Sequence, residues 1–228
     1  MIVPLAISAL LLIPFIVFGV VRQLNHIFML SFVLFAIVSS IYNLIFKTSK
    51  PINPAAIITH LGFALFLLGT LLTFSNSVNI SMNTSGYDLG TAKANEESLV
   101  LYKNDTLYMN DYYVAYTNKV KLGNTTEYQV DFLKREEMKF VKVFTLNPSV
   151  NIHPRMGAVY NPDTKRFISK DYYMFISHVN VEPDFIVINA IMNPYINILW
   201  LGALVMTGGF LYAFWRRIRI NRNRVLDS

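Results

Sequence analysis

Ala55-Ala56-Ile57-Ile58-Thr59-His60-Leu61-Gly62-Phe63-Ala64-Leu65-Phe66-Leu67-Leu68-Gly69 carries a single titratable group, the imidazole of His60. The uncharged run around it extends from Pro51 to Tyr87. A helix needs roughly 20 apolar residues to cross the hydrocarbon layer, so this stretch reads as a membrane span. Working outward, uncharged runs also cover Met1 to Val21, Gln23 to Phe46 and Phe185 to Trp215. With 54% hydrophobic residues and a mean hydropathy of +0.40, the chain counts a bilayer as part of its solvent. Four spans are expected.

Beyond Phe74 the composition shifts to Asn, Ser, Thr, Tyr, Lys and Asp in short alternating runs, the pattern of strands. Candidate strands are Ser98–Tyr102, Tyr112–Val120, Thr125–Leu133, Phe140–Leu146 and Tyr172–Val179. Turn signals stand at Asn104-Asp105, Gly123-Asn124 and Asn161-Pro162-Asp163. Tyr128, Val130 and Phe132 alternate with Glu127, Gln129 and Asp131, which implies a sheet with one dry face. The expected fold class is a membrane α-helical protein of four transmembrane helices with an inserted extracytoplasmic all-β domain. Residues 1–74 form three transmembrane helices, 75–193 the β-rich domain, 194–217 the fourth helix and 218–228 a basic tail.

The formal charge of +6 is topological and does not indicate nucleic acid. Residues 75–193 hold 12 Lys/Arg against 13 Asp/Glu, whereas the tail carries Arg216, Arg217, Arg219, Arg222 and Arg224 against Asp227. The positive-inside rule then makes the tail cytoplasmic and residues 75–193 extracytoplasmic. It also puts the Lys47-Thr-Ser-Lys50 loop and the N-terminus inside, with Arg22 a mild exception. The apolar N-terminal run lacks a basic leader and a small-residue cleavage site, so it is expected to stay in the membrane. The chain has no cysteine, which excludes thiol chemistry and disulfides by this chain itself.

Ionisable residues inside a bilayer are costly, and neutral imidazole is a favoured axial ligand of haem iron, so His60 is a functional candidate. Asn53-Pro54 starts its helix, and Ala56 and Ala64 lie one turn to either side of it. Gly62 and Gly69 thin the same helix, so a flat group or a second helix could approach closely. The residues leave two readings open: a ligand, or an imidazole hydrogen-bonded to a neighbouring hydroxyl or carbonyl. His26, His153 and His178 stand where histidine is ordinarily structural. Thirteen of the 14 acidic residues lie in 75–193, which disfavours a proton or cation pathway. No nucleotide, zinc-peptidase or serine-hydrolase motif occurs, and no catalytic residue is assigned.

The order of histidine-bearing span, outer β domain, final span and basic tail resembles the C-terminal portion of the CcmF family of cytochrome c biogenesis proteins. The resemblance is carried by Thr59-His60-Leu-Gly-Phe-Ala-Leu-Phe-Leu-Leu-Gly69 and by Tyr160-Asn-Pro-Asp-Thr-Lys-Arg-Phe167. The third part is Asn193-Pro-Tyr-Ile-Asn-Ile-Leu-Trp-Leu-Gly-Ala-Leu-Val-Met-Thr-Gly-Gly-Phe-Leu-Tyr-Ala-Phe-Trp-Arg-Arg217. It implies haem b as cofactor, with His60 an axial ligand to its iron and the second ligand from another chain or from an N-terminal part. The implied role is to reduce haem and help attach it to apocytochrome c, as part of a haem lyase complex not active alone. The implied partners are an N-terminal CcmF-like subunit or segment, a haem chaperone, and apocytochrome c with its thiol-handling proteins. The implied location is the bacterial inner membrane. The family's tryptophan-rich haem segment, its external histidines and its other axial histidine have no counterpart here, as in a split subunit or a fragment of a longer chain. A ResB-type cytochrome c assembly subunit shares the span order, and a membrane-anchored receptor or scaffold with an outer β domain is the reading from a different class.

Overall fold

The computed structural model describes residues 2–46, 53–84, 86–137 and 139–226, with the backbone alone over 223–226. The Lys47-Thr-Ser-Lys50 loop and Asp227 lie outside the described residues. The chain divides into a helical unit, Met1–Asn76 with Pro194–Ser228, and a β unit, Ser77–Asn193.

The helical unit contains α1 (Ile2–Val17), α2 (Leu24–Ile45), α3 (Pro54–Asn76) and α5 (Ile196–Leu226). Among the described residues three of these, α2, α3 and α5, are long and apolar enough to cross a membrane. The helix α1 has 16 residues, about 24 Å at 1.5 Å per residue, and falls short of a full span. Its end explains the difference from the expected run to Val21. Gly19 adopts φ +65°, its N–H donates to the Ile16 carbonyl, and the Val20 N–H donates to the Phe15 carbonyl. These two bonds satisfy the last carbonyls of the helix as a left-handed C-terminal cap does, so the glycine stops α1 inside an uninterrupted apolar run.

Helices α2 and α3 run antiparallel, with His26 at the start of one bonded to Ser75 at the end of the other (Nδ1 to Oγ, 3.0 Å). Leu30, Val33 and Leu34 of α2 pack with Leu68, Leu71 and Leu72 of α3 in a buried cluster. The contact of α3 with α5 is of another kind. A Cβ added at Gly62 would overlap the backbone of Met206, and one at Gly69 the backbone of Leu199. Reciprocally, Gly202 lies on the backbone of Phe66 and Gly209 on Thr59. Each helix therefore brings two glycines seven residues apart to the other's main chain, the close approach that small residues permit between apolar helices. At the helix ends Asn53 accepts a hydrogen bond from Arg216, so the start of α3 stands beside the basic end of α5.

In the β unit one sheet holds β1 (Val78–Asn79), β11 (Phe185–Pro194), β10 (Lys170–Asn180) and β9 (Asp163–Arg166) in that order, with β2 (Leu99–Tyr102) also on β11. The other holds β3 (Thr106–Met109), β4 (Tyr112–Leu122), β5 (Thr125–Glu136), β7 (Ser149–His153) and β8 (Gly157–Asn161), with β6 (Lys139–Leu146) also on β5. The pairings β1–β11, β2–β11, β9–β10, β3–β4, β4–β5, β5–β6, β5–β7 and β7–β8 are antiparallel. The dry faces meet: Leu99, Leu101, Tyr172, Met174, Ile176, Ile186 and Ile188 from one sheet pack with Val114, Tyr116, Tyr128, Val130, Phe132 and Phe144 from the other. The expected alternation holds at Tyr128, Val130 and Phe132, whereas Asp131 is buried as well. It accepts hydrogen bonds from Thr145 (2.5 Å) and Gln129 (3.3 Å), with Lys142 Nζ at 3.6 Å, so the covered carboxylate is satisfied.

The strands β1, β3, β7, β8, β9 and β11 and one short helix lie outside the five strands read in the sequence. The short helix α4 (Ala92–Glu97), capped by Thr91, interrupts an otherwise all-strand domain. Strand β11 falls where no strand is expected, because it pairs on both edges and is buried from Ile186 to Ala190 on both faces. A strand dry on both sides does not alternate, and it merges in the sequence with the apolar helix that follows.

The glycine contact makes a sharp prediction. Gly69→Ala and Gly202→Ala each lower the thermal stability of the detergent-solubilised protein, by about 1–3 kcal/mol as overpacking of a tight core does. Gly208→Ala serves as control, since a Cβ there meets nothing within 4 Å. An equal loss at Gly208 would show that the close helix contact is not what the substitutions disturb.

Candidate functional site

Helix α3 is built so that its faces have different work. Asn53 caps its start, accepting the Ala55 N–H at 3.2 Å, and Pro54 fills the first turn. Thr59, Gly62, Phe66 and Gly69 meet α5, while Leu68, Leu71 and Leu72 meet α2. A third stripe remains, and it contains Ala56, His60, Phe63 and Phe74. Ala56 is half-buried and His60 exposed, and Phe63 and Phe74 are 49% and 77% exposed. Ala64, one turn beyond His60, is buried. The three residues proposed from sequence thus divide, with Ala56 beside His60 on the open stripe and Ala64 turned into the helical unit. The His60 imidazole has no hydrogen-bond partner among the described residues. Gly62 and Gly69, which could have admitted a flat group, admit α5.

One imidazole on an open helix face could serve as a single ligand to a haem iron, since among the described residues nothing of the unit covers it and Ala56 leaves room one turn away. A second axial ligand would have to stand across the macrocycle. His26 cannot supply it: it is bonded to Ser75, which is 15 residues beyond His60 on α3, about 22 Å along the axis. Among the described residues no three His, Cys, Asp or Glu side chains cluster as a metal site. The remaining histidines have structural settings. The His153 ring accepts the N–H groups of Arg155 and Met156 in the turn between β7 and β8, and His178 lies 6.3 Å from the Phe185 ring.

The β unit has an open concavity of about 630 Å³ lined by Lys119, Lys121, Tyr128, Val150, Ile152 and Tyr160, with Val179 and Val181 closing it. It lies where the second sheet's inner face is left bare at one end. Lys119 is bound to Asp184 (2.6 Å), whose other oxygen accepts the Tyr116 hydroxyl (3.3 Å). Burial pushes the Tyr116 hydroxyl far up from its usual range, with Asp184 adding to the shift, so it stays a neutral donor. Nothing in the strand periodicity identified this concavity, because its residues come from strands far apart in sequence.

Comparison with known proteins bears on the fold. No protein-family model and no curated protein matches the sequence. Among solved structures, a cytochrome c haem lyase, CcmF, matches over 92% of this chain with a TM-score of 0.64 and 14% sequence identity. The chain spans 34% of the length of that protein.

A further prediction concerns Asp171, which is buried with one carboxyl oxygen unpartnered and the other 3.9 Å from Arg166. Burial raises its pKa above the ordinary carboxyl value, with the nearby guanidinium opposing the shift. A carboxyl whose folded pKa is raised stabilises the fold below its unfolded pKa, about 3.9, and that stability is lost as pH rises through the folded value. Asp171→Asn therefore slows hydrogen exchange in β9 and β10 of the full chain at pH 7, and the gain shrinks toward pH 4. Faster exchange at pH 7 would mean that the Arg166 attraction outweighs the cost of burial. In architecture, helices around an open histidine stripe joined to a two-sheet β unit, the chain has the fold of part of a CcmF cytochrome c haem lyase.

Proposed function

We propose that this chain acts in cytochrome c maturation as a CcmF-like subunit that supplies one axial ligand, His60, to a haem b in the bacterial inner membrane. The observation that supports this reading is the exposed, unpartnered imidazole of His60 on the one stripe of α3 that neither α2 nor α5 covers. An ionisable side chain in so apolar a helix is costly to leave idle, and coordination of iron would satisfy it.

In this reading haem b supplies reducing equivalents for the haem being attached to apocytochrome c. His60 would hold the iron, with Ala56 and Phe63 beside it supplying a small and an apolar surface. The glycine contact with α5 fixes the helix on which the ligand stands. The second ligand comes from an N-terminal CcmF-like subunit or segment that covers the open stripe. The β unit, residues 75–193, lies on the extracytoplasmic side and docks the haem chaperone and apocytochrome c. Both termini are cytoplasmic. Thiol handling belongs to other proteins, since this chain has no cysteine. It is one part of a haem lyase and is inactive alone.

The concavity of the β unit favours a second reading, a docking subunit whose function lies wholly outside the membrane. The two are separated by one experiment. The membrane complex is purified through this chain after co-expression with its N-terminal partner, and reduced-minus-oxidised spectra of the native protein and His60→Ala are compared. The ligand reading expects a b-type signal that disappears on substitution. An unchanged signal, with cytochrome c maturation intact in His60→Ala and abolished by changes in the concavity, would replace it with the docking reading.

A further inference from the structure

We infer that the C-terminal end of α5 is a binding site for the phosphate of an anionic phospholipid. The first 20 residues of α5, from Ile196 to Trp215, carry no charge, and at 1.5 Å per residue they cover about 30 Å, the thickness of the hydrocarbon layer. The helix does not stop there. It continues to Leu226, and in this extension stand Arg216, Arg217, Arg219, Arg222 and Arg224 with no acidic residue. The arginines thus begin at the depth where lipid headgroups lie.

Helical spacing gathers a subset of these residues. Trp215, Ile218, Arg219 and Arg222 recur every three or four positions, share one helix face and line a small concavity of about 230 Å³. The Arg219 guanidinium stands over the Trp215 ring at 5.6 Å, and Tyr212 stacks against the same ring with centroids 6.4 Å apart. The ring stack holds one guanidinium in place while leaving its N–H groups available. Arg216 is committed elsewhere, to Asn53, and it ties this end of α5 to the start of α3. What remains is a patch in which the guanidinium groups of Arg219 and Arg222 border Trp215 and Ile218.

That chemistry selects its ligand. Guanidinium groups bind phosphate through paired N–H donors, more strongly than a lysine point charge can. The indole and the isoleucine suit the boundary between headgroup and acyl chain, where amphipathic rings settle. A zwitterionic lipid brings its own cation to the phosphate and forfeits the attraction, so a headgroup with net negative charge is favoured. The site involves α5 alone and does not rest on the haem reading.

The test uses the full chain purified in detergent with its membrane partners and stripped of lipid. Phosphatidylglycerol, phosphatidylcholine and soluble glycerol phosphate are offered separately, and retained lipid is read by native mass spectrometry. The expected result is selective retention of phosphatidylglycerol, reduced about tenfold in R219Q/R222Q, since each arginine near an anionic headgroup contributes substantially. R219K/R222K keeps the charge and loses the fork, and it is expected to fall between the two. Equal retention of phosphatidylcholine by the native protein would overturn the proposal without any variant. So would binding of glycerol phosphate as tight as that of the lipid, which would make this a site for soluble phosphates, and so would native selectivity in R219Q/R222Q.

Discussion

The helical unit depends on the reciprocal glycine contact of α3 with α5. In an apolar solvent two helices gain nothing from burying apolar side chains, so what holds them is close van der Waals packing of backbones. Gly62 and Gly69 on one helix and Gly202 and Gly209 on the other create that approach. The contact has a directional consequence. Once one stripe of α3 is given to α5 and a second to α2, the stripe bearing His60 is left open among the described residues. The orientation of the imidazole is thus a result of where the glycines are, although none of them touches it.

Much of this was legible from residues and some was not. The long apolar helices could be read because they lack charge, and Asn53-Pro54 marks the start of α3 because both residues favour a first turn. The five expected strands exist because each contains an alternating or turn-bounded run. Strand β11 could not be read that way, because it is dry on both faces and its apolar run flows into α5. The early stop of α1 was visible in principle at Gly19, yet a glycine in an apolar run is ambiguous until its φ is known. For the candidate site, His60 stood out by its titratable group alone. The role of its neighbours did not, since Ala56 and Ala64 differ by only eight positions and face different surroundings.

The β unit stands on a different physical basis. Its core is aromatic: Tyr112 packs edge-on against Phe132, Phe144 and Tyr172, and Phe132 stacks on Phe144 at 4.3 Å. Such rings bury large areas in water and need no disulfide to hold two sheets together. Two carboxylates of similar burial have different partners: Asp131 accepts from Thr145 and Gln129, whereas one oxygen of Asp171 has no hydrogen-bond partner and the other stands near Arg166.

The open stripe on α3 carries the functional argument, because its cost has to be met by something. Phe63 and Phe74 lose nothing by facing lipid tails, but an imidazole has one nitrogen that donates and one that accepts, and hydrocarbon satisfies neither. The helical unit therefore has a lower free energy with a group laid against His60 than without one. A protein donor or acceptor would suffice energetically, without use of the small surface at Ala56.

 

Ala56 lies one turn from His60 on the same stripe and presents only a methyl group. A flat ligand makes use of both features at once: the nitrogen that it coordinates and the low surface over which its edge extends. In the proposed reading His60 would supply one ligand only, and a chain covering the stripe would have to bring the other. In this reading the assembly of the two chains and the completion of the haem site are one event, driven by the same unsatisfied nitrogen.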